Sequence, residues 1–261
     1  MKGIVKIIPI RGFILSRGAL TMEMLSVMML HAGEVTFSDD IVKYLQNLKK
    51  DERVKAVIFE INSSGGRVYP SKEIGEAIKH FGKPTIAQIR EIGGSGAYWI
   101  ASTCTKIVAD PFSEVGGIGA GAIAIGIDFK KLSEMLEKIG VKIKLLPMGK
   151  YERITPPSIK EMEWKEESTR KEVEATHRYF VEEVKQNRSI REETVLAQIA
   201  AGRVYRGEKA KELGLVDYLG NLQKAIQVAS ELAGSQLEPE YAEYEERYRV
   251  LIGIPDRQLK F

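Results

Sequence analysis

Three short stretches of this 261-residue chain carry the residue types that nucleophilic attack on a carbonyl requires. The first is Gly93-Gly94-Ser95-Gly96-Ala97-Tyr98-Trp99, where small residues surround a serine at the predicted start of a helix. Flanking glycines let a carbonyl carbon approach the Ser95 hydroxyl closely, and the Gly96 N–H, helped by the helix dipole, can stabilise a developing negative oxygen. A serine at that point can equally be a helix cap, so the pattern leaves both roles open. The second stretch is Ile61-Asn62-Ser63-Ser64-Gly65-Gly66, at the end of a buried-looking strand. Paired glycines there permit a tight turn whose N–H groups face a ligand without intervening side chains. An ordinary turn uses the same pair.

A serine hydroxyl attacks only when a base takes its proton. The chain offers three histidines: His31 in an apolar, irregular stretch, His80 at a helix end and His177 in a charged helical segment. No motif directs any of them to Ser95. The third stretch, Met148-Gly149-Lys150-Tyr151, places a lysine at the end of an apolar strand and beside a glycine. Lysine serves as a base when desolvation lowers its pKa, by up to roughly 3–5 units at full burial. In a solvated loop the same residue is an ordinary surface lysine. Cys104 is the sole cysteine, so no intramolecular disulfide forms, and in IASTCTKIVA it reads as a small core residue; a reducing compartment fits.

The elements that must position these residues follow from hydrophobic periodicity. Apolar runs at 4–10, 54–61, 84–89 and 106–109 read as strands, and 40–48, 70–80 and 95–102 read as helices. Strand, turn and helix recur, which is the pattern of an α/β fold built of ββα units. A glycine-rich stretch, 116–126, precedes a helix over 129–139 and a strand over 141–146. The charged segment 160–185 reads as one long surface helix, and 192–201, 208–213 and 221–232 complete a helical C-terminal extension. One core domain over 1–234 with a tail or arm over 235–261 accounts for the whole chain.

Hydrophobic residues make up 44% and charged residues 29%, the balance of a folded globular protein. The net charge is only +3, and its 39 basic and 36 acidic residues are interspersed, so no basic patch points to nucleic acid. Charges at Lys2, Lys6 and Arg11 divide the first apolar stretch, which lacks the layout of a signal peptide. The apolar run 19–30 contains Glu23 and is too short to span a bilayer. The expectation is a cytoplasmic or peripherally membrane-associated protein without a transmembrane segment.

In order and spacing the three stretches resemble signal peptide peptidase A, the short single-domain form of the Ser-Lys peptidases, over about residues 2–232. In that family a strand ending in Asn-Ser-Pro-Gly-Gly is followed by a small-residue serine motif and then by Gly-Lys-Tyr. Here these stand as Asn62-Ser63-Ser64-Gly65-Gly66, Gly94-Ser95-Gly96-Ala97-Tyr98-Trp99 and Gly149-Lys150-Tyr151. Two further stretches, Ala201-Gly202-Arg203-Val204-Tyr205-Arg206-Gly207 and Ala210-Lys211-Glu212-Leu213-Gly214-Leu215-Val216-Asp217, are similar to the family's C-terminal part.

The resemblance implies a Clp protease/crotonase-like fold and hydrolysis of peptides, such as signal-peptide remnants, at apolar sites through an acyl-enzyme. It implies Ser95 as nucleophile, Lys150 as general base, and the backbone N–H groups of Gly65, Gly66 and Gly96 as the oxyanion hole. It implies no metal or organic cofactor, and a homo-oligomeric ring whose sites are completed by neighbouring subunits. Three departures stand out. Gly117 occupies the place of a family serine that orients the lysine amine, Ser64 replaces the motif proline, and the family's N-terminal membrane anchor is not seen. Other readings on the same fold are an acyl-CoA hydratase or isomerase and a peptide-binding assembly protein that cuts nothing. Ser-Lys peptidases directed at membrane proteins also share it, and the Gly-Lys-Tyr motif argues against these.

Overall fold

Isoleucine and valine at nearly every second position build the long first strand, β1 (Gly3–Leu15). A computed structural model describes residues 3–18, 34–121, 138 and 159–242. After β1 come β2 (Val35–Phe37), α1 (Ser38–Lys50), β3 (Val54–Gly66), α2 (Val68–Lys79), β4 (Thr85–Gly94), α3 (Gly96–Ser102), β5 (Lys106–Ala109) and β6 (Glu114–Gly116). The C-terminal part adds α4 (Ile159–Asn187), α5 (Glu193–Ile199), β7 (Val204–Arg206), α6 (Gly207–Glu212), β8 (Tyr218–Leu219), α7 (Leu222–Ala233) and β9 (Leu237–Tyr241). Residues 1–120 with 177–261 form one compact unit and 121–176 a second, described chiefly by the first part of α4. The predicted helix 129–139, the predicted strand 141–146, His31 and the Gly149-Lys150-Tyr151 motif lie outside the described residues.

One sheet organises the first unit. Its order is β2-β1-β3-β4-β5-β8, with all of these pairs parallel. Parallel sheets must be covered on both faces, and the side chains of β3 alternate accordingly. Val57, Phe59 and Ile61 join a core with Ile41 and Leu45 of α1, Ile74 and Ile78 of α2, and the apolar residues of α3. Ala56 and Ile58 face the other way, onto Ala225, Val228 and Ala229 of α7. β9, within the stretch expected as a tail, pairs parallel with the first residues of β1. Among the described residues, no helix is long and apolar enough to cross a membrane.

Two expectations change. The strand predicted over 84–89 continues to Gly94 as β4. Its pairing with β3 shifts between Ile61 and Ser63, and Asn62 fills the shift by accepting the Glu91 and Ile92 N–H groups on Oδ1. The long charged helix is also more than a surface element, because Phe180 and Val184 of α4 are buried. Phe180 stacks on Trp99 at 4.5 Å between ring centroids and 7° between planes.

Cys104 is buried, as expected of a core residue, and desolvation pushes its thiol up to about 12 from the ordinary 9.0. The folded chain therefore retains a proton that the unfolded chain releases near pH 9. Stability from this group is full below about pH 9 and is lost as pH rises towards 12. Cys104→Ala is expected to flatten the decline of stability with pH in that window, measured by urea unfolding at pH 8, 9 and 10, and the parent thiol should resist alkylation until the chain is unfolded.

Candidate active site

Ser95 sits where β4 turns into α3, held between two neighbouring strands. The end of β4 pairs with β3 through Gly93 and Ser63 and with β6 through Gly94 and Gly116. The Ser95 backbone has φ +49° and ψ −123°, a region that residues other than glycine occupy at a cost of about 1–3 kcal/mol. Two bonds hold it there: the Ser95 N–H donates to the Gly116 carbonyl at 2.9 Å, and the Ser95 carbonyl accepts the Trp99 N–H at 2.9 Å. Its hydroxyl makes no capping bond to α3. Of the two roles the sequence left open, capping is therefore not the one Ser95 plays, and the residue is partly exposed.

The helix behind the serine is anchored on every side. All seven residues of α3 are buried. Tyr98 donates its hydroxyl to the Leu215 carbonyl at 2.9 Å, and Asn187 Nδ2 donates to Ser102 Oγ at 3.1 Å. The stretch ending in Asp217 has a matching structural task. Asp217 accepts the Ile107 N–H at 2.7 Å and pairs with Arg188 at 3.0 Å, which fixes the chain beside β5.

The Gly65-Gly66 turn comes to the same place. Ser63 donates its hydroxyl to the Gly12 carbonyl and accepts the Gly65 N–H at 3.1 Å, so that N–H already has a partner. The Arg67 N–H donates to the Ile14 carbonyl at 2.9 Å. Successive N–H groups of a strand point to opposite sides, so the Gly66 N–H points away from β1. On that side a Cβ at Gly96 would stand 3.2 Å from the Gly66 nitrogen and 2.3 Å from Ser71 Oγ. Gly65 has φ +120°, and a Cβ there would stand 2.8 Å from the Ser95 Cβ and 2.9 Å from the Gly96 nitrogen. Backbone thus meets backbone at Gly65, Gly66, Ser95 and Gly96 with no room for side chains.

Four of the five predicted site residues are therefore brought together, and Lys150 lies outside the described residues. His80 bonds through Nδ1 to the Glu76 carbonyl at its own helix end. Among the described residues no group of three or more His, Cys, Asp or Glu is assembled that could hold a metal ion. Sequence reasoning missed two contributors. Ser71, buried against Gly96, donates to the Arg67 carbonyl at 2.8 Å, and its only sequence signal is a serine in the first turn after Pro70. The Gly116 carbonyl has no side-chain signal at all.

Residues 77–236 match the model of peptidase family S49. The chain is 31% identical over 205 residues to a protein of Methanocaldococcus jannaschii named as a protease, covering 78% of this chain and 64% of that one. It is 28% identical over 209 residues to the chloroplastic serine protease SPPA of Arabidopsis thaliana, covering 78% of this chain and 30% of that one. Protease 4 of Haemophilus influenzae is 29% identical over 76% of this chain and 32% of its own length. The chain thus spans less than two thirds of these relatives. Among solved structures, a 1510-N membrane-bound stomatin-specific protease, with a substrate peptide bound, superposes with a TM-score of 0.57 at 16% identity, over 95% of both chains. The fold is the expected α/β, Clp/crotonase-like one, and the chain belongs to peptidase family S49.

Gly65→Ala forces a side chain into both a left-handed backbone and the Ser95 Cβ. It is expected to lose about 1–3 kcal/mol of stability by urea unfolding and to lower the reactivity of Ser95 towards a fluorophosphonate at least about tenfold.

Proposed function

We propose that this chain is a serine endopeptidase in which Ser95 is the nucleophile, Lys150 the general base, and the Gly66 and Gly96 N–H groups the oxyanion hole, with Gly65 shaping the turn that presents them. The observation that carries the reading is the backbone of Ser95. It is strained, pinned to Gly116, and joined to a hydroxyl that caps nothing, beside two glycines whose nitrogens converge.

In this reading Lys150 takes the Ser95 proton as Oγ bonds to the substrate carbonyl carbon, and the oxygen gains negative charge between the two N–H groups. Collapse breaks the peptide C–N bond, and the leaving amine receives the proton from Lys150. Water, deprotonated by the same lysine, then releases the acyl group and restores Ser95. No metal or cofactor is called for. Gly117 lies beside this centre, since a Cβ there would stand 3.2 Å from the Ser95 nitrogen. A hydroxyl on that residue is what the resembled family uses, so another group orients Lys150 here.

Apolar peptides, including signal-peptide remnants, are the substrates this reading favours. Val68 and Tyr69 directly follow the glycine turn and are 46% and 67% exposed, which offers an apolar bank to an extended peptide added as a strand. A homo-oligomeric ring and a cytoplasmic or peripheral membrane location belong to the same reading.

Intact-mass measurement after fluorophosphonate treatment tests it. One adduct is expected on the parent, none on Ser95→Ala, and at least about a hundredfold slower labelling of Lys150→Ala. An unlabelled parent, or labelling that survives Ser95→Ala, contradicts the assignment.

A further inference from the structure

The surroundings of Ser95 on the β6 side hold little side-chain bulk. Gly117 has φ +60°, and a Cβ there would stand 3.2 Å from the Ser95 nitrogen and 3.6 Å from Cγ2 of Val204. Next to it, a Cβ on Gly119 would stand 3.4 Å from the Gly202 Cα. Three glycines thus meet beside the nucleophile, and Val204 stands across the position where a side chain at Gly117 would be.

Val204 is held firmly. It begins β7, which pairs antiparallel with β6 in the register Gly116 to Val204, and the Gly117 N–H donates to the Arg203 carbonyl at 2.9 Å. The same Gly116 fixes Ser95 through its carbonyl, so Val204 and the nucleophile share one support. Yet Val204 is 47% exposed, unusual for a branched apolar side chain in a strand, whereas the neighbouring Tyr205 packs against the core. An exposed methyl pair within reach of a reacting centre, with glycine where other side chains would shield it, is a surface for an apolar ligand group.

Resting on the peptidase reading above, we infer that Val204 is a specificity-determining residue: it walls a shallow apolar subsite that receives the substrate side chain flanking the scissile bond, and the bare Gly117, Gly119 and Gly202 set that subsite's width. Small apolar side chains fit between the valine methyls and the glycine backbone, and large ones are held off. Discrimination between side chains that differ by one or two methyl groups in such a pocket amounts to about 10- to 200-fold in kcat/KM.

The test uses quenched peptides that are identical except for alanine, valine, leucine or phenylalanine on either side of the scissile bond. Rates are expressed per fluorophosphonate-titrated Ser95. Val204→Ala is expected to raise the kcat/KM ratio of the phenylalanine to the alanine peptide about tenfold, and Val204→Phe to lower it by a similar factor. The Val204→Ala change is small and at an exposed position, which guards against loss of the fold. If the parent takes up no fluorophosphonate, the peptidase reading falls and this inference with it. If the parent is labelled and cleaves the peptides while both variants leave the ratios unchanged, this inference alone is overturned.

Discussion

The hydrogen bond from the Ser95 N–H to the Gly116 carbonyl ties the end of β4 to β6 at the point where the chain must leave the sheet. Without it nothing would hold a serine at φ +49°, because the local preference of the residue opposes that backbone by about 1–3 kcal/mol. The opposing force comes from α3, whose seven residues are all buried, with Trp99 stacked on Phe180 and Tyr98 bonded to Leu215. Strain at the serine is therefore sustained by packing several ångströms behind it. The result is a hydroxyl left out of the helix cap and a fixed orientation for the Gly96 N–H.

The second half of the centre depends on polar side chains that do no chemistry. Asn62 accepts two N–H groups where β3 and β4 slip out of register, and Ser63 links Gly12 to Gly65. These bonds curve the end of β3 so that Gly65 and Gly66 lie against Ser95 and Gly96. The glycines at this meeting point answer to van der Waals distance. A methyl group on Gly66 would stand 2.2 Å from the Ile14 carbonyl oxygen, and one on Gly96 would stand 2.3 Å from Ser71 Oγ.

Much of this was legible in the residues. The apolar runs of β1, β3 and β5 predict strands because a parallel sheet buried on both faces needs unbroken apolar sequence, and the paired glycines mark the turn that meets Ser95. What escaped was whatever depends on backbone atoms or on long-range pairing. The Gly116 carbonyl leaves no trace in residue type. The extension of β4 to Gly94 depends on Asn62, nearly thirty residues earlier in the chain. The buried face of α4 was hidden by its many charges, since Phe180 and Val184 form too narrow a stripe to outweigh them. The choice between cap and nucleophile for Ser95 was open in sequence because both roles use the same residue at the same helix end; the backbone dihedral separates them.

The most direct test is a crystal structure of the protein treated with a peptide aldehyde. The account predicts a covalent bond from Ser95 Oγ to the aldehyde carbon, with the adduct oxygen about 3 Å from both the Gly66 and the Gly96 nitrogens. An adduct whose oxygen points to solvent, or that forms on another residue, would contradict it.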